Sequence, residues 1–87
     1  MFEFEWDEAK SERNQAKHGI SFDEVKEALL SFDPLAILPN PNYPLQQVMV
    51  FRSLEGKICM AAIKVRKQKI RLISAHEDRK LRRKYGP

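Results

Sequence analysis

Residues 57–75 read KICMAAIKVRKQKIRLISA, and the fold turns on how this stretch divides. Cys59, Ala61, Ile63 and Val65 alternate with Met60, Lys64 and Arg66. That period of two places apolar side chains on one face of a strand and cations on the other. After Lys67-Gln68 the alternation resumes, with Ile70 and Leu72 on one side and Arg71 on the other. Two alternating runs joined by two residues predict an antiparallel hairpin. Further back, Val48 to Ser53 has the same strand character and is joined through the turn Leu54-Glu55-Gly56. The centre of the chain is therefore a three-stranded meander over residues 48–53, 57–66 and 69–75, whose apolar face needs a cover.

The cover is expected from the N-terminal third. Ser21 and Glu24 form an S-x-x-E capping box, and Phe22, Val25, Leu29 and Phe32 fall on one helical stripe that Asp33-Pro34 ends. An earlier helix, Glu8 to Lys17, is capped by Asp7 and stopped by Gly19. Only its Ala9 and Ala16 support Trp6 and Ile20 at helical spacing, which predicts loose packing and a polar exposed face. Phe2, Phe4 and Trp6 alternate with Glu3 and Glu5 as an opening edge strand, and Leu35 to Leu38 reads as another short strand. The loop Pro39-Asn40-Pro41-Asn42-Tyr43-Pro44 follows, outside regular structure. After the meander, Ser74 and Glu77 form a second capping box. It predicts a helix from Ala75 to Tyr85, with Arg79, Lys80, Arg82, Arg83 and Lys84 around Leu81, and with Leu81 and Tyr85 anchoring it to the sheet. The expected order is β-α-α-β-β-β-β-α: one α+β domain over residues 1–87, two layers, an antiparallel sheet with helices on one face.

At 87 residues there is one core to build, and 43% apolar against 32% charged residues describes a folded chain. The apolar run Ile58–Ile63 is far too short to span a bilayer, and the acidic, aromatic opening lacks the basic start of a secretory signal. The expected location is the cytoplasm, without a membrane partner. Cys59 is alone, so it reads as a small buried thiol with no internal disulfide. His18 and His76 lie 58 residues apart and show no metal-ligand spacing. No metal or other cofactor is expected. Glycine-rich phosphate loops and G-x-S-x-G are absent, which argues against nucleotide hydrolysis and serine chemistry. The charge is segregated. Residues 1–33 carry nine acids against four Lys/Arg, whereas residues 57–87 carry eleven Lys/Arg against two acids. Such asymmetry predicts a polyanion-binding face, with nucleic acid as the partner.

Four segments in this order resemble the BrnT toxins: Phe4-Glu5-Trp6-Asp7, Lys17-His18-Gly19-Ile20-Ser21-Phe22, Phe32-Asp33-Pro34-Leu35 and Ile70-Arg71-Leu72-Ile73-Ser74-Ala75. The resemblance spans nearly the whole chain. It implies a RelE-like fold and a ribonuclease toxin of a type II toxin-antitoxin module that inhibits translation. It also implies neutralisation by a BrnA-like ribbon-helix-helix antitoxin, through which alone the toxin would meet operator DNA. Arg66, Arg71, Ser74 and Tyr85 match the family pattern. His76 stands where an arginine is usual, Leu81, Arg82 and Arg83 stand where the final helix usually carries a glutamate, and Ile63 and Lys64 replace a more polar stretch.

Metal-free RNA cleavage requires a base for the 2′-OH proton, a cation for the phosphorane and an acid for the leaving 5′-oxygen. The candidate catalytic residues are Arg66 and Arg71, whose guanidinium groups pair with phosphate oxygens, and His76. Placed at a helix start, His76 would be held neutral and fit to act as a base. Lys64, Arg79, Arg82, Arg83 and Tyr85 are the candidate RNA-binding residues. His18, just before Gly19, reads as a cation at a helix C-terminus, and Trp6 as a core residue. Two alternatives stand beside cleavage: a non-catalytic nucleic-acid-binding module, and a decayed toxin that only binds its antitoxin.

Overall fold

The structure is a computed structural model that describes residues 3–86, so the expectation for Phe2 lies outside the described residues. Five strands and three short or medium helices follow in the expected order: β1 (Glu3–Glu5), α1 (Glu8–His18), α2 (Phe22–Ser31), β2 (Ala36–Pro39), β3 (Gln47–Arg52), β4 (Ile58–Arg66), β5 (Lys69–Glu77), a 3-10 turn (Arg79–Leu81) and α3 (Arg82–Tyr85). The strands form one sheet in the order β1-β5-β4-β3-β2. The β2–β5 part is antiparallel throughout, and β1 joins the edge parallel to β5. Pro39, assigned above to the loop, closes β2 instead. An edge strand accommodates it, because the missing N–H leaves no interior partner unbonded.

The capping signals are realised at both long helices. Asp7 accepts hydrogen bonds from the backbone N–H groups of Ala9 and Lys10, and Gly19 closes α1 in the left-handed region at φ 76°. The Ser21–Glu24 box is complete, with both reciprocal bonds formed. Phe22, Val25 and Ala28 are buried, and together with Ile20 they meet Met49 and Phe51 of β3, Cys59, Ala61 and Ile63 of β4, and Ile70, Leu72 and Ala75 of β5. Trp6 packs against this core and meets Phe22 edge-on at 6.4 Å between ring centroids. Phe32, expected on the buried stripe, is 50% exposed, because the chain is already extended at this C-cap residue.

Helix α1 docks differently from the expectation. Ala9 and Ala16 are exposed, and its buried residues are Ser11 and Asn14. The Ser11 hydroxyl accepts a hydrogen bond from the Phe22 N–H. The Asn14 amide donates to the Ile20 and Ala75 carbonyls and accepts from the Ala75 N–H. Because β1 pairs only with Lys69–Arg71, the outer edge of β5 is open beyond that point, and Asn14 serves Ala75 as a neighbouring strand would.

The largest departure concerns the C-terminal third. Ser74 and Glu77 do not start a helix: β5 continues through Glu77 and pairs with β4 as far as Cys59, so His76 is a strand residue opposite Met60. Tertiary pairing overrides the local capping pattern here, since the extension gives Met60 and Cys59 of β4 their partners on the β5 side. The helical segment starts only at Asp78, whose side chain accepts from the Lys80 N–H, and α3 has four residues. It also lies on the other face of the sheet from α1 and α2. Val50 and Ile58 point away from the main core yet are fully buried, the Asp78 N–H donates to the Ile58 carbonyl, and Arg52 donates to the Tyr85 carbonyl. Leu81 and Tyr85 are half-buried there.

Candidate active site

The face of the sheet opposite α1 and α2 is only partly covered, and the pleat decides what it displays. A β-bulge sets the pattern: Ile63 pairs with Leu72 and Ala62 with Ser74, leaving Ile73 as an extra residue in β5. The bulge lets Ile70, Leu72 and Ala75 all face the core, while Arg71, Ser74 and His76 share the uncovered side.

At the hairpin end, this side carries two like-charge cross-strand pairs in succession, Lys64 opposite Arg71 and Arg66 opposite Lys69. All four are exposed. Directly opposed like charges destabilise a strand pair. Partial relief comes from β1, where Glu3 and Glu5 lie beside Lys69 and Arg71 and the Arg71 Nη1 is 3.9 Å from the Glu5 carboxylate. With both side chains nearly half exposed, that ion pair is weak and easily exchanged for a phosphate.

Towards the other end of β5 lies an open groove of about 640 Å3, walled by the Asn40–Tyr43 loop and Gln46 and floored by Val48, Met60, Ala62, Ile73, Ser74 and His76. At the rim the His76 ring lies 5.6 Å from the ring of His18, centroid to centroid. Helix α1 brings His18 there as its last residue, fixed by the Asn14 bonds to β5 one turn earlier. Partial desolvation, the facing His76 ring and the Lys17 ammonium hold the His18 pKa below its usual value. His18 therefore sits at the helix C-terminus, as the sequence suggested, with its cationic form disfavoured. Beyond the groove, Arg79, Lys80 and Arg83 line one basic notch. Arg82 is exposed beside them, and the Lys84 ammonium lies 5.5 Å from the Tyr85 ring centre.

The expected site residues thus fall into three groups along one surface. Arg66, Arg71 and Lys64 stand together at the hairpin, His76 stands in the groove, and Arg79, Arg82, Arg83 and Tyr85 follow in the C-terminal segment. Four strand residues lie between Arg71 and His76, which sets them about 15 Å apart along the sheet. The two candidate arginines and the histidine therefore do not converge on a single phosphate. The argument for His76 as a helix-start residue also fails, since β5 extends past it. The His18–His76 contact was beyond sequence reasoning, because it depends on how a helix end meets a strand 58 residues later. Among the described residues no group of three or more His, Cys, Asp or Glu side chains is arranged to hold a metal ion. Among the described residues, no helix is long and apolar enough to cross a membrane.

A family model for the ribonuclease toxin BrnT of type II toxin-antitoxin systems matches residues 6–84. The chain belongs to the BrnT family. It is accordingly a ribonuclease toxin of a type II module, with RNA as substrate and an antitoxin as partner. The BrnT fold is seen directly in the 1.1 Å crystal structure of the Brucella abortus ribonuclease toxin BrnT. That structure superposes with a TM-score of 0.71 at 24% identity, over 90% of this chain and 97% of the other. No curated protein sequence matches the chain.

Proposed function

We propose that this BrnT-family chain cleaves single-stranded RNA without a metal ion, on the uncovered face of its sheet, and thereby stops translation. The observation that carries the reading is the pair of opposed cations at the hairpin. A sequence shaped for stability alone would not set Lys64 against Arg71 and Arg66 against Lys69 on alternate rungs of one face. A polyanion laid across them removes the repulsion.

In this reading Arg66, Arg71 and Lys64 grip backbone phosphates at one end, and Arg79, Arg82 and Arg83 do so at the other, with Tyr85 offering a half-buried ring beside them. The strand between passes over the groove, where His76 handles a proton transfer of the cleavage step. The arginines act in this scheme by positioning the strand, since only His76 reaches the groove. A ribbon-helix-helix antitoxin of the BrnA type neutralises the toxin and carries it to operator DNA, in the cytoplasm.

Induced expression of the wild type beside Arg71→Ala tests the reading. Growth arrest with fragmented mRNA in the wild type, and neither in the mutant at equal soluble level, is the expected result. Harmless wild-type expression from folded protein would instead favour a decayed toxin that only binds its antitoxin.

A further inference from the structure

We propose that His18 and His76 work as an acid–base pair in RNA cleavage, with His18 taking the 2′-OH proton and His76 delivering a proton to the leaving 5′-oxygen. The assignment rests on the RNA-cleaving reading above and adds to it a second proton carrier, which lies on a different element.

Geometry is the first support. The two rings are 5.6 Å apart and tilted by 40°, so neither blocks the other from a group placed above both. The attacking and leaving oxygens occupy opposite apices of one phosphorane, and each must come within roughly 2.6–3.2 Å of its proton carrier. Two imidazoles at this spacing can each serve one apex. Both rings are held by the same structure: Asn14 ties α1 to Ala75, the residue before His76, and α1 ends at His18. A half-exposed strand residue and an exposed helix end are also open to substrate.

Electrostatics is the second support. Two cationic imidazoles this close repel, so the doubly protonated state is disfavoured and the pair tends to carry one proton. Concerted acid–base catalysis needs that state. Partial desolvation, His76 and Lys17 all act against the cation on His18, which favours its neutral, proton-accepting form and so its role as the base. The other charged groups around His18 are Glu24 on α2, Glu55 and Lys57 at the β3–β4 turn, and Glu77 on β5, all lining the small cavity beneath it. Three of these four are carboxylates and act in the opposite sense, yet the His18 pKa is still held below its usual value.

The step balances without a co-reactant. The O–H bond of the 2′-hydroxyl breaks and its proton passes to the neutral ring of His18. The 2′-oxygen forms a bond to phosphorus while the bond from phosphorus to the 5′-oxygen breaks, and that oxygen takes the proton of His76. The products are a 2′,3′-cyclic phosphate and a free 5′-hydroxyl, with the pair left in the inverse protonation state.

The test is the pH–rate profile of purified wild type, His18→Asn and His76→Asn on a single-stranded RNA oligonucleotide, alongside NMR titration of the remaining histidine in each variant. The expected wild-type profile is bell-shaped. His18→Asn should lose the acidic limb and about 10²–10⁴-fold in rate, and His76→Asn should lose the alkaline limb. The His18 titration should move up towards its usual value in His76→Asn. A wild type that cleaves while His18→Asn keeps its rate within threefold and its full bell would overturn the pairing but leave the RNA-cleaving reading intact. An unmoved His18 titration in His76→Asn would also overturn it. A wild type that cuts no RNA sinks the RNA-cleaving reading, and the acid–base assignment with it.

Discussion

Asn14 holds α1 in place through three hydrogen bonds, two with Ala75 on the open edge of β5 and one to the Ile20 carbonyl, and it is 8% exposed. Asn14→Ala removes them all and strands the Ala75 N–H and two carbonyls in the interior. The expected cost is about 3 kcal/mol in urea denaturation, beyond the usual range for one lost bond, because buried polar groups are left unpaired. A loss under 1 kcal/mol would show that α1 is held by other contacts. Cys59 is a second informative residue. Burial, with Glu77 second, pushes its thiol up to about 11. A raised pKa in the fold means that the neutral thiol is favoured, so its contribution is complete below the unfolded value near 8.5 and is lost as pH rises towards 11. Denaturation midpoints should fall over that window and be flatter there in Cys59→Ala. Neither role follows from spacing alone. The apolar count of α1 gave no sign of Ser11 and Asn14, since a helix that docks through polar side chains leaves no hydrophobic stripe, whereas a lone cysteine in an apolar strand announced its burial directly.

The two capping boxes separate what local signals can and cannot decide. Ser21 with Glu24 sits before a real apolar stripe and is formed, while Ser74 with Glu77 has the same spacing and lies in a strand. Ser21→Ala should cost about 1 kcal/mol. Ser74→Ala should carry no capping cost, because no helix begins there. Equal losses at the two positions in parallel thermal melts would contradict the extended β5. The elements were otherwise legible to within a residue or two from alternation, turn residues and helix stops. The missed part was long-range: the bulge at Ile73, the parallel placement of β1, and the placement of the C-terminal segment over Ile58 and Val50 all depend on strand partners distant in sequence.

Across the whole molecule, charge and stability pull in opposite directions. The acidic N-terminal third supplies the helices that back the sheet, and the basic C-terminal third supplies the exposed hairpin and tail. The surface groups proposed from the sequence do lie along one side, but as separated clusters. Because fold topology sets the distance between Arg71 and His76, residue types could suggest a polyanion surface without showing which groups meet. If the hairpin cations are kept for RNA, Lys64→Gln should stabilise the fold by roughly 0.2–1 kcal/mol while weakening RNA binding and lowering its salt dependence. A destabilised Lys64→Gln protein would mean that the lysine has a structural partner instead.

The most direct measurement of the central claim is incubation of the purified chain with single-stranded RNA in excess chelator, beside His76→Asn of equal stability. The account predicts fragments ending in 2′,3′-cyclic phosphate from the wild type and a loss of cleavage of at least about 10²-fold in the variant. Cleavage that needs an added metal ion, or that His76→Asn performs equally well, would contradict it.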